Sequence, residues 1–163
     1  MEAKQEREHR HTGVYGVCVS DQRLLVIRKR LGPYSGQYDL PGGRLEPSES
    51  LEQAVMREFR EETGTAVRVV SSIGVCDFQV LWTLKDRSTE RLHHIAMLYQ
   101  VEVDRRAEVH PIEAFPEQDS DGAVWLPPEE IEPRAASPAV LQAVEWLRSH
   151  RLSVARSLFD YRT

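Results

Sequence analysis

Three carboxylates crowd a short run of the chain. Glu58, Glu61 and Glu62 follow one another at spacings of three and one in the run REFREE. In a helix, these side chains project from neighbouring positions on one face. Two such charges ~6 Å apart repel by roughly 3 kcal/mol at an effective dielectric of 20. A hard divalent cation turns the repulsion into binding, because Mg²⁺ takes oxygen ligands and bridges carboxylates to phosphates.

The same run also has a plainer interpretation. Glu-rich helices are usually solvated faces, and Arg57 with Glu61 makes an i, i+4 ion pair. Taken alone, the run favours a solvated face. The residues around it favour a site.

The run lies in a well-delimited predicted helix. Ser50 with Gln53 forms a capping box at its start, and Gly64 fits the position just past its end. An apolar stripe at spacing four predicts packing against a sheet: Leu51, Val55 and Phe59.

The segment Gly43–Thr65 resembles the signature of the Nudix hydrolase family. A Gly is followed after five residues by a Glu, and after seven more by Arg-Glu-apolar-x-Glu-Glu-x-Gly. The fixed positions are Gly43, Glu49, Arg57, Glu58, Phe59, Glu61, Glu62 and Gly64. Accidental agreement has odds on the order of 10⁻⁸ per window. The last position, aliphatic in the family, is Thr65; it is a packing position, so the chemistry is unaffected.

The element pattern predicts an α/β (α+β) fold with a mixed sheet between helical layers. β-rich runs cover residues 13–20, 23–30, 77–84 and 91–103, and Ser20-Asp21-Gln22 predicts a hairpin turn. A final helix begins with Ser137 as N-cap and Pro138 at its first position. The resemblance implies the Nudix-type α/β/α sandwich with a mixed central β-sheet. Residues 1–10 are expected to be a flexible polar leader, and residues 11–163 a single Nudix hydrolase domain.

The resemblance implies a Mg²⁺-dependent pyrophosphohydrolase, with Mn²⁺ as a substitute ion. The implied metal ligands are Glu58, Glu61, Glu62 and the carbonyl of Gly42. Glu58 is our first choice as general base and Glu61 the second, while Arg57 is expected to orient the carboxylates. Glu49 is either a further ligand or a charge that complements the helix dipole.

Residues outside the signature give weaker predictions for substrate binding. Arg28, Lys29 and Arg30 are candidate contacts to phosphate, or exposed residues at a strand end. Tyr38 is a candidate to stack on a base and Asp39 to hydrogen-bond one, and each also has a structural interpretation. His93 and His94 alternate across a strand, so at most one faces a cleft, and a structural histidine is the preferred interpretation. An acidic stretch offers further carboxylates as ligand or base, or as solvated loop charges: Glu113, Glu117, Asp119 and Asp121.

The substrate expected from the family is a small nucleoside diphosphate linked to another group. The ADP-ribose type tends to carry a proline some fifteen residues after the signature, but no proline occurs between Gly64 and Pro111. The dinucleoside polyphosphate type tends to carry a tyrosine there, and this chain has Phe78. A nucleoside triphosphate-like substrate is preferred by elimination.

The composition of the chain limits which kinds of partner it is expected to bind. A formal charge of −5 argues against nucleic acid or an anionic membrane as a partner. No apolar stretch has transmembrane length. Cys18 and Cys76 lie in apolar strand-like runs and are expected to be buried free thiols, which indicates a cytoplasmic protein. The resemblance also implies a homodimer as one option, since many relatives form one.

Two other interpretations assign the chain to a different functional class. One is a catalytically inactive Nudix module that binds nucleotide or a protein partner; the intact acidic residues argue against it. The other is a generic α+β binding protein with an acidic helix, which the spacing disfavours.

Overall fold

The computed structural model describes residues 6–106, 120–154 and 157–163. Its elements are β1 (Arg7–Ser20), β2 (Arg23–Lys29), β3 (Tyr38–Asp39), β4 (Gly42–Gly43), α1 (Leu51–Thr63), β5 (Val67–Thr83), β6 (Thr89–Val103), β7 (Ser120–Leu126), α2 (Pro138–Ser149) and β8 (Ser157–Asp160). The sheet order is β3-β2-β1-β6-β5-β8, with β4 paired to β1 and β7 paired to β2.

The centre of the sheet mixes parallel and antiparallel pairs. β1 runs parallel to β6 from Arg7↔Glu90 to Cys18↔Val101, while β5 and β6 form a long antiparallel hairpin. The predicted turn between β1 and β2 is confirmed: Asp21 and Gln22 both have positive φ, 49° and 61°, as a two-residue hairpin requires. The mixed central sheet is therefore confirmed.

β1 begins earlier than the sequence indicates. The chain enters the sheet at Arg7, so residues 7–10, expected in the polar leader, pair with β6. These four residues are exposed and polar, so they lack the alternating apolar pattern by which a half-buried strand is recognised.

The two helices cover opposite faces of the sheet. On β6, Met97 and Tyr99 pack with Val55 of α1, whereas Ala96 and Leu98 pack with Val140 of α2. Successive side chains of a strand point to opposite faces, so the alternation places one helix on each side. The predicted α/β/α layering is confirmed.

Local sequence explains where the helices begin and end. Ser50 and Gln53 make both hydrogen bonds of a capping box, and Gly64 ends α1 in the left-handed conformation at φ 70°. In α2, Ser137 accepts from the backbone N–H of Val140, with Pro138 directly after it. Both predicted helices are confirmed, including their caps.

The cysteines lie in the core. Cys18 and Cys76 are free and buried, as predicted. Burial raises the pKa of each thiol to about 11, so both remain protonated at neutral pH.

Candidate active site

A cleft of about 460 Å³ opens over the α2 side of β1 and β6. Its floor comes from alternate residues of the two strands: His9, His11 and Tyr15 of β1, and Glu90, Leu92 and His94 of β6. One end is closed by β4 and α1. The segment after β2, residues 31–34, forms part of the wall.

Glu58 lies at the β4 end of the cleft. A Cβ atom added to Gly43 would meet the Glu58 carboxylate at 2.9 and 3.0 Å, so the glycine allows this close approach. The side chain of Glu58 is 17% exposed, and one oxygen accepts from Arg57 Nη1 at 3.0 Å. The carboxylate is thereby fixed in position while still facing the cleft.

Arg57 organises the carboxylates around it. Nε and Nη2 both bind the carboxylate of Glu49, and Nη1 also contacts Glu61 at 3.2 Å. These bonds lower the pKa of Glu49 to about 2 and raise that of Arg57. Glu49 also accepts from the backbone N–H of Glu46 at 2.8 Å, which ties the loop before α1 to the same cluster. The geometry supports the orienting role predicted for Arg57, and it accounts for Glu49 without a metal.

The other two carboxylates of the signature differ in environment. Glu62, one turn after Glu58, is partly buried and lines the cleft. Glu61 has a side chain that is 55% exposed, and it is absent from the cleft lining in the described part of the chain. The structure therefore brings Glu58 and Glu62 together at the cleft and leaves Glu61 at its outer edge, paired with Arg57.

Gly42 is required by the backbone itself. Its φ is +155°, and a Cβ there would lie 2.1 Å from the carbonyl oxygen of Val14. Only glycine fits this strand contact without displacement. Gly42 is buried and lines the cleft beside Glu58, a position that is compatible with its predicted role as a carbonyl ligand.

The donor set at this end fits a divalent cation. Among residues 6–106, 120–154 and 157–163, no three His, Cys, Asp or Glu side chains form a ready-made metal cage. Mg²⁺ does not need one, since it keeps several waters and is held by one or two carboxylates together with substrate phosphates. Glu58 and Glu62 supply two carboxylates beside the glycines of β4, which satisfies that requirement.

A buried hydrogen-bond chain lies in the floor of the cleft. His94, 1% exposed, contacts the hydroxyl of Tyr15 through Nε2 at 2.8 Å and that of Tyr34 through Nδ1 at 2.7 Å. His11 Nε2 lies 3.2 Å from the Tyr15 hydroxyl. Burial lowers the pKa of His94 to about 3 and that of His11 to about 4, so both rings are neutral at physiological pH. Burial also raises the pKa values of both tyrosines, which keep their protons.

The residues predicted to contact substrate do not all lie in the cleft. Asp39 lines the cleft, but one of its oxygens accepts from Ser137 Oγ at 2.6 Å and from the backbone N–H of Leu40.

Arg28 and Tyr38 form the pair next to Ile27 and Asp39 in the ladder between β2 and β3, so their side chains point to the other face of the sheet. Their side chains bind each other at 2.8 Å and do not line the cleft in the described residues. Of the three basic residues predicted to contact phosphate, Lys29 lines the cleft, and Arg28 and Arg30 do not in the part of the chain that the structure describes.

Other candidates fall elsewhere. His93 lies on the opposite face from His94 and contacts Asp77 at 2.7 Å. Of the two histidines only His94 lines the cleft in the described part of the chain, and its buried ring has a hydrogen-bond partner at each nitrogen, as the structural interpretation predicted. Glu113, Glu117, Asp119 and the side chain of Asp121 lie outside the described residues.

Several residues that line the cleft were not predicted from the sequence. Trp82, Tyr34 and His11 gave no signal because their significance depends on contacts with distant residues: Trp82 pairs with Glu90, His11 pairs with His94, and the Tyr34 hydroxyl contacts His94. The usable signal was polar residues at alternate positions within apolar strands, as at His94 between Leu92 and Ala96.

Comparison with known proteins agrees with the geometry. The sequence model of the NUDIX domain matches residues 7–147. The ADP-ribose pyrophosphatase of Methanocaldococcus jannaschii is 40% identical over 67 residues, 41% of this chain and 40% of that protein. The nucleoside triphosphatase NudI of Salmonella typhimurium is 33% identical over 90 residues, 55% of this chain and 57% of that protein. The matched region thus spans about two fifths to three fifths of these curated relatives.

Solved structures share the architecture. A NUDIX hydrolase from Nitrosomonas europaea superimposes with a TM-score of 0.67 at 22% identity, covering 88% of this chain and 92% of that one. At that identity the likeness shows the fold alone. No helix among the described residues is long and apolar enough to cross a bilayer.

Proposed function

The chain belongs to the NUDIX family, and we propose that it is a divalent-metal-dependent pyrophosphohydrolase of a small nucleoside diphosphate derivative. The observation that carries the proposal is the β4 end of the cleft. There Glu58, fixed by Arg57 against Gly43, lies on the same lining as Glu62. This end supplies negative charge in a concave site, which a polyanionic substrate tolerates only together with a cation.

Mg²⁺, or Mn²⁺ in its place, would be held by Glu58 and Glu62 with the backbone of Gly42. When bound, such an ion neutralises phosphate charge, polarises the P–O bonds and lowers the pKa of water. Glu61 has a weaker claim as a ligand, since its carboxylate is mostly exposed and is bound by Arg57.

The chain's own residues perform the remaining tasks. We assign Glu58 as the acceptor of the proton from the attacking water, because its position inside the cleft is fixed by Arg57, and Glu61 is the second choice. Arg57 orients carboxylates and does not line the cleft in the described part of the chain. Lys29 and Arg44 line the cleft and supply positive charge for the phosphates.

The substrate is proposed to be nucleoside triphosphate-like. NudI of Salmonella typhimurium is named a nucleoside triphosphatase, which supports this preference. The name of the Methanocaldococcus relative makes ADP-ribose the second candidate, although the proline typical of that type is absent after the signature. The cleft volume of about 460 Å³ suits either size of ligand.

A substrate panel with matched variants tests the proposal. Nucleoside triphosphates, ADP-ribose, nucleotide sugars and dinucleoside polyphosphates would be incubated with the parent protein in Mg²⁺, in Mn²⁺ and in EDTA. We expect metal-dependent release of a phosphate-containing product from one class, lost in Glu62→Gln and kept in Glu52→Gln, an exposed change on the same helix. Nucleotide binding without turnover of any compound would instead identify an inactive binding module.

We also propose a cellular compartment and an oligomeric state for the protein. Two buried free cysteines accord with the reducing cytoplasm. A homodimer is proposed from the family resemblance, and light scattering of the purified chain tests it: a mass near twice 18.7 kDa supports the dimer and a mass near 18.7 kDa contradicts it.

A further inference from the structure

The buried chain in the cleft floor has a direction that its chemistry fixes. A neutral histidine has one ring N–H donor and one ring acceptor. His94 contacts a tyrosine hydroxyl through each nitrogen, at 2.8 Å to Tyr15 and 2.7 Å to Tyr34. One tyrosine must therefore donate to His94, and the other must accept and has its own proton available for a further acceptor.

Arg44 decides which tyrosine is which. Its Nε donates to His11 Nδ1 at 3.4 Å, and since arginine only donates, that nitrogen of His11 is an acceptor. Neutral His11 then carries its proton on Nε2 and donates to Tyr15, 3.2 Å away. Tyr15 is buried, and among the described residues its hydroxyl contacts His11 and His94 alone, so its own proton, which the Nε2–H of His11 cannot accept, goes to His94 Nε2. His94 then carries its proton on Nδ1 and donates to Tyr34. The hydroxyl proton of Tyr34 is thus directed to an acceptor other than His94.

The position of Tyr34 indicates which part of a substrate it meets. In the sheet, His94 pairs with His11, and Gly42 pairs with Tyr15. His11 and Tyr15 are four residues apart on β1, which separates their Cα atoms by ~13 Å. A bare diphosphate at the β4 end is too short for that distance, whereas a base linked through ribose reaches toward it.

We propose that Tyr34 is a specificity-determining residue that donates a hydrogen bond to an acceptor atom on the nucleobase, and that His94, Tyr15 and His11 are positioning residues that fix the direction of that bond. The proposal rests on the proposed function, since it assumes that the diphosphate occupies the β4 end. Gly13 contributes space: a Cβ there would lie 2.7 Å from the Tyr15 hydroxyl.

Ring-nitrogen NMR of the ligand-free protein tests the direction without any substrate. We expect the ¹⁵N shifts of His94 to show the proton on Nδ1 and those of His11 to show it on Nε2. A proton on Nε2 of His94 would reverse the chain and overturn the proposal. This measurement does not depend on whether the protein hydrolyses anything.

A binding comparison tests the contact with the base. Affinities for α,β-methylene-ADP, α,β-methylene-GDP and methylenediphosphonate would be measured with Mg²⁺ for the parent, Tyr34→Phe and the matched control Tyr38→Phe, whose hydroxyl binds Arg28 away from the cleft. We expect Tyr34→Phe to weaken the tighter-binding nucleotide by about fivefold, the value of one net hydrogen bond, with methylenediphosphonate unchanged. Tyr38→Phe should change neither.

The outcomes separate this proposal from the proposed function. If the parent binds all three probes and Tyr34→Phe binds the nucleotides equally well, Tyr34 does not read the base and the site assignment stands. Equal weakening of methylenediphosphonate and nucleotide would show a general disturbance of the cleft and would also overturn it. If the parent binds none of the probes, the proposed function itself is wrong.

Discussion

At the scale of single residues, the acidic signature divides into unequal members. Glu58 and Glu62 line the cleft, Glu61 lies at its edge, and Arg57 contacts Glu49, Glu58 and Glu61. Residue spacing predicted that these side chains share a helical face. It did not show which of them the sheet would cover, because that depends on where β4 crosses α1.

Replacing Glu61 and replacing Glu62 should therefore lower activity to different extents. Glu62→Gln removes a charge inside the cleft and should lower kcat by about 100-fold or more, a loss typical of a removed acid–base or charge-stabilising group. Glu61→Gln should cost less, since Arg57 keeps its bonds to Glu49 and Glu58. Steady-state rates on the best substrate of the panel measure both, with Glu52→Gln as the control. Equal losses for the two variants would show that Glu61 acts directly at the metal.

His94 should make stability depend on pH. Its pKa is about 3 in the folded chain against an ordinary 6.5, so the unfolded chain binds the proton more readily. The stabilisation is complete above pH 6.5 and decreases as the pH falls from 6.5 toward 3. His11, with a pKa of about 4, changes stability in the same direction.

Urea unfolding between pH 7 and 5 measures this effect. Below pH 6.5 each buried neutral histidine should cost roughly 1 kcal/mol of unfolding free energy per pH unit. His94→Gln should reduce the slope by about half, since His11 remains, whereas His93→Gln, on the opposite face, should keep the parental slope. A parental slope in His94→Gln would show that another group carries the dependence.

At the scale of elements, local signals predicted the helices better than the strands. Ser50, Gln53 and Gly64 delimit α1 through short-range bonds, which a sequence displays directly. β5 begins at Val67, ten residues before the predicted run, because its first half is partly exposed and twice interrupted in register, near Val69 and near Gly74. Such irregularities erase the period of two on which strand prediction depends.

The two N-cap serines should contribute differently to the free energy of unfolding. Ser50 caps α1 at the surface, whereas Ser137 is fully buried and also donates to Asp39. Ser50→Ala should cost about 1 kcal/mol. Ser137→Ala should cost more, roughly 2–3 kcal/mol, since it also removes a hydrogen bond from a buried carboxylate. Chemical denaturation of both variants gives the comparison, and equal costs would contradict the importance assigned to the Asp39 bond.

Adjacent glycines of β4 should separate folding from activity. Gly42→Ala places a methyl group 2.1 Å from a backbone oxygen at positive φ, and we expect a loss of ~3 kcal/mol or more. Gly43→Ala meets only the end of the Glu58 side chain, so the fold should persist while the carboxylate is displaced. Thermal unfolding and kcat of the two variants test this. Full activity in Gly43→Ala would show that the close approach of Glu58 is dispensable.

At the scale of the whole molecule, the cleft exists only after the sheet is assembled. Tyr15, Tyr34 and His94 come from three distant parts of the chain and meet through the parallel pairing of β1 with β6. Arg28 and Tyr38, predicted to contact substrate, do not line the cleft in the described residues, and the sequence does not reveal which face of β2 and β3 is covered. The signature predicted the end of the cleft at β4 and α1, whereas the end at His94 and Tyr34 could be identified only from the folded structure.

The proposed function requires a divalent ion between Glu58 and Glu62, beside the glycines of β4. The most direct measurement is a crystal structure of the full chain with Mn²⁺ and α,β-methylene-ADP, using anomalous scattering to locate the metal. We predict a peak within roughly 2.0–2.3 Å of carboxylate oxygens from both Glu58 and Glu62, in contact with the diphosphate. Nucleotide bound elsewhere, with no peak between these two carboxylates, would contradict the account.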